Sequence, residues 1–95
     1  MVPQKISRES IAEDVRTYLR EYFMLFPSMD LTPETSLIES GTIDSTGAAE
    51  LVAYLESRYD FTILDEEFVP DNLDSIAKIA AFVSRKLGIP SVQSA

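Results

Sequence analysis

The sequence has 95 residues, of which 45% are hydrophobic and 25% are charged, and its formal net charge is -8. It contains no cysteine and no histidine, which excludes disulfides, a cysteine nucleophile and the commonest general base and metal ligand. A chain of this length has room for one domain with a modest core. We therefore expect a single domain over residues 1–95, with an ordered core at about residues 7–88, no catalytic residue and no metal site.

The acidic residues are concentrated in the middle of the chain, where residues 27–74 contain twelve of them against Arg58 as the one basic residue. Such a field repels nucleic acid and anionic lipid and attracts partners with basic surfaces. The simpler interpretation is that the charge keeps a small domain soluble. The N-terminus has no apolar signal core, and no apolar run approaches the length of a membrane span. We expect a cytoplasmic monomer that binds neither nucleic acid nor membrane.

The first predicted helix begins at Ser7 or Ser10, either of which can cap its N-terminus, and it stops at Pro27. Its apolar residues recur at three- and four-residue steps, which predicts a single buried stripe. The stripe consists of Ile11, Val15, Tyr18, Leu19, Tyr22 and Phe26.

A long connection follows from Ser28 to Asp44, and its Pro and Gly residues argue against helix. Three apolar side chains within it are predicted to anchor an ordered loop to the core, namely Leu31, Leu37 and Ile38. The second helix is predicted from Ser45 to Tyr59 with Asp44 as its N-cap. The residues on its buried arc are Ala48, Leu51, Val52, Leu55 and Tyr59.

The stretch "LDEEFV" is predicted to form a short helix, with Asp65 as its cap, Phe68 turned inward and Pro70 as its stop. The last helix is predicted to begin near Asp74 or Ser75 and to end at Gly88. Its buried residues are Ile76, Ile79, Ala80, Val83 and Leu87. The fold class is therefore all-α: a small four-helix bundle of three main helices plus one short helix, with a long ordered loop between helices 1 and 2.

Ser45 lies where the long loop enters the second helix, and its position allows several interpretations. An Asp-Ser pair at a helix start is common for structural reasons alone. As a nucleophile Ser45 lacks a histidine base, and "GTIDSTG" does not match the G-x-S-x-G elbow. As the acceptor of a phosphate ester it is well placed, because a helix N-terminus presents free amides and a positive dipole end to an anion.

The order of these segments resembles the acyl and peptidyl carrier proteins over nearly the whole chain. The matching stretches are the loop "LIESGTIDS", the helix "AAELVAYLES" and the region "DEEFVPDNLDSIAKIAAFV". The positions of Glu50, Leu51 and Val52 after the serine, and of Glu56 further along the same helix, are also similar to the family pattern.

The resemblance implies that Ser45, preceded by Asp44, bears 4′-phosphopantetheine, which a phosphopantetheinyl transferase adds from coenzyme A. The arm would hold acyl or aminoacyl groups as thioesters for partner enzymes, so the protein itself is not an enzyme. The implied partners are an adenylating ligase or an acyltransferase, together with ketosynthase or condensation enzymes. The implied setting is specialised metabolite biosynthesis, such as that of polyketides or nonribosomal peptides.

Helical periodicity places Thr46, Ala49 and Ala53 on the outer face of the second helix, with Glu50 on one side and Glu56 on the other. These five residues are expected to form a docking face, because small side chains allow close approach and the acids attract basic partners.

Thr46 and Gly47 depart from the fatty-acid carriers, which usually have Leu and often Asp there. A Gly two positions after the serine is similar to D-alanyl carriers and to stand-alone carriers served by separate adenylating enzymes. Two other classes of function were weighed against this one. One is an unmodified helical protein–protein interaction module, for which Ser45→Ala would behave like the wild type. The other is an EF-hand, but "DFTILDEEF" and "DNLDSIAKI" lack its alternating oxygen ligands and central Gly.

Overall fold

A computed structural model describes residues 6–22 and 32–89 of the chain. Four α-helices follow one another in these residues: α1 (Arg8–Tyr22), α2 (Ser45–Tyr59), α3 (Pro70–Leu73) and α4 (Ile76–Leu87). A 3₁₀ turn at Asp65–Glu67 lies between α2 and α3, and no strand occurs among the described residues. The predicted all-α fold class is confirmed. Phe26, Pro27, Leu31 and the side chain of Tyr22 lie outside what the structure describes.

The start of α1 is fixed by two serines that cap each other's backbone. The N–H of Ser10 donates to Oγ of Ser7 at 3.1 Å, and the N–H of Ser7 donates to Oγ of Ser10 at 2.9 Å. This reciprocal arrangement satisfies amides that have no partner within the helix. The predicted stripe is confirmed at its centre, since Ile11, Val15 and Leu19 are fully buried and α1 packs against α4.

The bounds of α2 agree with the prediction at both ends. Asp44 has extended backbone angles, and its carboxylate accepts a hydrogen bond from the N–H of Gly47 at 2.8 Å, as expected of an N-cap. Leu51, Leu55 and Tyr59 are buried, while the predicted Ala48 and Val52 are half-buried. The helix ends at Asp60, which adopts the left-handed conformation with φ of 57°.

The prediction of one short helix over "LDEEFV" is wrong in its details. The 3₁₀ turn is preceded by Leu64, whose N–H donates to the carboxylate of Glu67 at 2.9 Å, so Asp65 lies inside the turn and does not cap it. Pro70 begins α3 and does not end a helix. Proline suits the first helical position because its φ is already helical and that N–H would have no partner there. Phe68 is 45% exposed and is not turned inward.

The last helix begins and ends as predicted. Ser75 is its N-cap, with Oγ accepting from the N–H of Lys78 at 3.1 Å, and Gly88 ends it in the left-handed conformation. Four predicted core residues, Ile76, Ile79, Ala80 and Val83, are buried, whereas Leu87 is half-buried. Phe82 is also buried, although the predicted stripe omitted it. In the described part of the chain, no helix is long and apolar enough to cross a membrane.

The long loop is attached to the junction of α3 and α4 through Asp74. The carboxylate of Asp74 accepts hydrogen bonds from Oγ of Ser36 at 2.6 Å and from the N–H of Ile38 at 2.9 Å. Burial raises the pKa of Asp74, but these hydrogen bonds lower it by more, so the pKa lies below its usual value. Leu37 is fully buried, which confirms it as an anchor. Ile38 is 51% exposed, so the prediction that its side chain anchors the loop is wrong. The contact with Asp74 holds only the backbone N–H of Ile38.

Candidate functional site

Ser45 is the first residue of α2, and its side chain is exposed. The preceding Asp44 uses its carboxylate to cap the helix through Gly47. The first amides of a helix have no intrahelical acceptor, and the helix dipole places partial positive charge at the same end. The Ser45 hydroxyl therefore lies in solvent beside a surface that favours an anion.

The turn before Ser45 depends on one glycine. Gly41 has φ of 79°, in the left-handed region, and a Cβ at this position would meet no atom within 4 Å. The requirement for glycine is therefore one of backbone conformation and not of space. The turn is closed by hydrogen bonds from the N–H of Gly41 to Ile38 and from the N–H of Ile43 to Leu37. Since Ile43 is buried, the chain enters α2 from a fixed position.

An apolar cavity of about 550 Å³ opens beside Ser45. It lies between the end of the long loop, the first turns of α2 and the region from Phe68 to Leu73. Its floor includes the buried Leu51 and Leu73, and its rim includes Ile38 and Phe68, which are each about half exposed. The two residues that the sequence placed in the core and the structure places in solvent thus belong to the rim of this cavity.

The charges around Ser45 are acidic. Glu39, Asp44, Glu50 and Asp71 are exposed. The basic residue nearest to Ser45 in the sequence, Arg58, forms a salt bridge at 3.1 Å with the carboxylate of Asp14. A partner that approaches Ser45 therefore meets negative charge, which favours basic surfaces.

The predicted docking residues do not all lie in the same environment. Thr46, Ala49, Glu50 and Ala53 are exposed together on the outer face of α2. Glu56 is half-buried, and its carboxylate accepts a hydrogen bond from the N–H of Ile63 at 2.8 Å. Glu56 therefore has a structural contact with the chain that follows α2, which periodicity alone did not reveal.

The far end of α2 is held to α1 by a polar cluster. The carboxylate of Asp14 accepts hydrogen bonds from the hydroxyl of Tyr59 at 2.7 Å and from Arg58 at 3.1 Å. The rings of Tyr18 and Tyr54 stack beside it with their centroids 4.1 Å apart. Burial raises the pKa of Tyr59, and its hydrogen bond to Asp14 raises it further, so the phenol remains protonated at neutral pH. Ser45 is thus presented by a helix that is fixed at both ends.

The helix start at Ser45 and its cap at Asp44 could be predicted from the sequence, whereas the cavity could not. One wall of the cavity is lined by Phe68, Val69 and Pro70. The one feature of the sequence that indicates how this wall is built is the preference of proline for the first position of a helix.

Comparison with known proteins gives one family. A family model described as "Phosphopantetheine attachment site" matches residues 13–83, well over half of the chain. A search of curated proteins finds no match.

Proposed function

Because the chain belongs to the family of carrier proteins that hold phosphopantetheine, we propose that Ser45 is the residue to which 4′-phosphopantetheine is attached. Members of this family carry substrates and are not enzymes. The observation that carries the proposal is the exposed hydroxyl of Ser45 at the N-terminus of α2, directly after the capping Asp44.

The residues present fit the group. The phosphate would lie at the first turn of α2, where unpaired amides and the helix dipole favour an anion. The apolar cavity that begins at Ser45 offers space beside the attachment point. When bound, the arm supplies a terminal thiol that holds an acyl or aminoacyl group as a thioester. The chain itself supplies a fixed attachment point and a surface that partners recognise.

The attachment step needs help from a transferase. The Oγ of Ser45 forms a bond to phosphorus, the phosphoanhydride bond of coenzyme A breaks, and adenosine bisphosphate leaves. A base must take the hydroxyl proton, but the chain contains no histidine. One oxygen of the adjacent Asp44 carboxylate accepts the N–H of Gly47, which holds this side chain in its role as the helix cap. We assign the base to the phosphopantetheinyl transferase.

Docking of partner enzymes is assigned in this proposal to the outer face of α2, formed by Thr46, Ala49, Glu50 and Ala53. Their exposure and small size support close approach by a partner, and Glu50 supplies charge on the same side. Glu56 lies at the edge of this face. One of its carboxylate oxygens accepts the N–H of Ile63, and the other oxygen is assigned to contacts with partners.

The carried groups are acyl or aminoacyl units of specialised metabolite biosynthesis, loaded by an adenylating ligase. Gly47 supports this choice, because carriers that are loaded by such ligases are similar in having a glycine two positions after the serine. An acyltransferase with a polyketide or fatty-acid extension partner is the second route.

Intact mass spectrometry after incubation with coenzyme A and a broad-specificity phosphopantetheinyl transferase tests the attachment. The wild type and Ser57→Ala, a control for an exposed serine on the same helix, should each gain one phosphopantetheine. Ser45→Ala should gain none. An unmodified wild type, with a transferase shown to be active on another carrier, would refute the proposal and favour the unmodified interaction module.

A further inference from the structure

The helix that carries Ser45 depends on its side chains for its position in the bundle. In the described part of the chain, the backbones of α1 and α4 lie close together, as do those of α3 and α4, whereas α2 belongs to no such pair. The buried Leu51, Leu55 and Tyr59 attach α2 to the core, but apolar packing is not directional. The direction of α2 relative to α1 is therefore set by contacts of defined geometry.

The polar contacts between α1 and α2 converge on one carboxylate. Asp14 lies near the middle of α1, and its Oδ2 atom accepts hydrogen bonds from the hydroxyl of Tyr59 at 2.7 Å and from the guanidinium of Arg58 at 3.1 Å. Both donors belong to the last turn of α2. The Arg58 side chain is 52% exposed and Tyr59 is buried, so the hydrogen bond from Tyr59 contributes more to the attachment.

The Asp14 contacts lie at the end of α2 that is remote from Ser45. Ser45 and Tyr59 are the first and last residues of the helix, which places them roughly 21 Å apart at the rise of an α-helix. The Ser45 end is held separately by the Asp44 cap. Without the Asp14 contacts, α2 can therefore tilt about its Ser45 end. A tilt of about 10° moves Ala53, which lies about 12 Å along the axis, by roughly 2 Å.

An enzyme that reaches Ser45 meets a surface on each side of it. The loop before Ser45 is held to the junction of α3 and α4 by Asp74, and the outer face of α2 follows Ser45. These two surfaces form one docking site only while α2 keeps its angle to the loop. Where the angle varies, the apparent affinity falls by the fraction of molecules in the competent orientation.

We propose that Asp14 is a positioning residue, which fixes the angle between α2 and the loop before Ser45 and thereby raises the affinity for the transferase. The consequence for the transferase rests on the proposed function, whereas the control of the angle does not. Loss of the Tyr59 hydrogen bond should raise KM about two- to tenfold, the factor that corresponds to one net hydrogen bond. It should leave kcat unchanged, because the docked complex is the same.

The angle of α2 can be measured on the unmodified chain, because the absence of cysteine allows two introduced thiols to be spin-labelled. Thr17→Cys on α1 and Ser57→Cys on α2 are both at exposed positions, and double electron–electron resonance gives the distribution of distances between the labels. Thr17→Cys with Lys78→Cys, also exposed, reports the packing of α1 on α4. Asp14→Ala should broaden the first distribution by roughly 3 Å, the displacement of Ser57 for a tilt of about 10°, and leave the second unchanged. Tyr59→Phe should do the same to a smaller extent.

Steady-state kinetics with the transferase then separate positioning from stability and from charge. Asp14→Ala and Tyr59→Phe should raise KM, whereas Asp14→Asn keeps an oxygen that can accept from Tyr59 and should restore most of the affinity. Ser75→Ala removes the N-cap hydrogen bond of α4 and therefore also costs stability, but it should leave KM unchanged. Glu13→Gln removes the same charge from α1, at an exposed residue that forms no salt bridge in the described part of the chain, and should also leave KM unchanged.

Distance distributions that Asp14→Ala and Tyr59→Phe leave unchanged would overturn the control of the angle. A broadened distribution with an unchanged KM would overturn the role in docking. A rise in KM for Ser75→Ala or Glu13→Gln as large as that for Asp14→Ala would assign the effect to stability or to charge, which also overturns the proposal. A wild type that the transferase does not modify would refute the proposed function, and the resonance measurement would still decide whether Asp14 fixes the angle.

Discussion

Replacing Asp74 with alanine should destabilise the protein through the loop that leads to Ser45. In the wild type the Asp74 carboxylate accepts from the hydroxyl of Ser36 at 2.6 Å and from the N–H of Ile38 at 2.9 Å. A hydrogen bond to a charged group contributes about 1.5–3 kcal/mol when both partners are well buried. Because Asp74 is only half-buried, solvent can replace part of each bond, and we expect a total loss of about 2 kcal/mol.

Urea denaturation followed by far-ultraviolet circular dichroism measures this loss as a lower free energy of unfolding. Asp74→Asn keeps an oxygen that can accept from Ile38, so it should lose about 1 kcal/mol. Asp71→Asn is a suitable control, because Asp71 is exposed and makes no hydrogen bond through its side chain in the described part of the chain. It should change the free energy of unfolding by less than about 0.5 kcal/mol.

The pH dependence of the Asp74→Ala effect provides a second, independent check. The folded-state pKa of Asp74 is depressed below the unfolded value of about 3.9. The ionised carboxylate therefore stabilises the fold above that pH, and this contribution is lost as the pH falls through the folded-state pKa. The difference between the wild type and Asp74→Ala should shrink in acid. A loss under about 0.5 kcal/mol at neutral pH, or a difference that does not change with pH, would refute the reasoning.

Three further predictions concern other parts of the fold. Tyr59→Phe removes the hydroxyl that donates to Asp14 at 2.7 Å and should lower the free energy of unfolding by about 1 kcal/mol. Tyr54→Phe removes a hydroxyl that lies 3.5 Å from the carbonyl oxygen of Asp14, so it should lower the free energy of unfolding by less, and an equal loss would contradict this account. Gly41→Ala should lower the free energy of unfolding by about 1 kcal/mol, because φ at this position is 79°. Gly41→Asn should lower it by less, since asparagine adopts left-handed angles more readily, and equal losses of stability in thermal denaturation would point to a different cause. Glu50→Lys should raise KM for the transferase, and added salt should raise the wild-type KM; a KM insensitive to both would count against electrostatic docking.

The parts of the fold that follow from local rules could be predicted from the sequence. The bounds of α2 and the capping role of Asp44 depend on helical periodicity and on one side-chain hydrogen bond, which are both visible within a few residues. The exposure of Ile38 and Phe68 could not be predicted, since a single apolar residue in an irregular segment has no period from which its direction could be inferred.

The helix start at Ser45 could be predicted from the sequence, but the shape of the surface around it could not. Ser45 stands out because a motif and a helix start coincide there, whereas the cavity beside it depends on residues far along the chain, such as Leu73. Glu56 illustrates the same limit. Periodicity places it beside the outer face of α2, but the side chain is half-buried and accepts the N–H of Ile63, a contact that depends on the path of the chain after α2.

Residues 64–72, between the buried Ile63 and Leu73, have a consequence for engineering. The N–H groups of Glu67, Phe68, Val69 and Asn72 donate to carbonyls within this segment, and the backbone hydrogen bonds that leave it run from Leu73 to Val69 and from Asp74 to Pro70. A replacement segment that keeps these two carbonyls, and the contacts of Glu67 with Lys86 and of Asn72 with Arg85, preserves the pairing of the helices around it. The wall of the cavity can therefore be redesigned at these positions while the face that presents Ser45 stays the same.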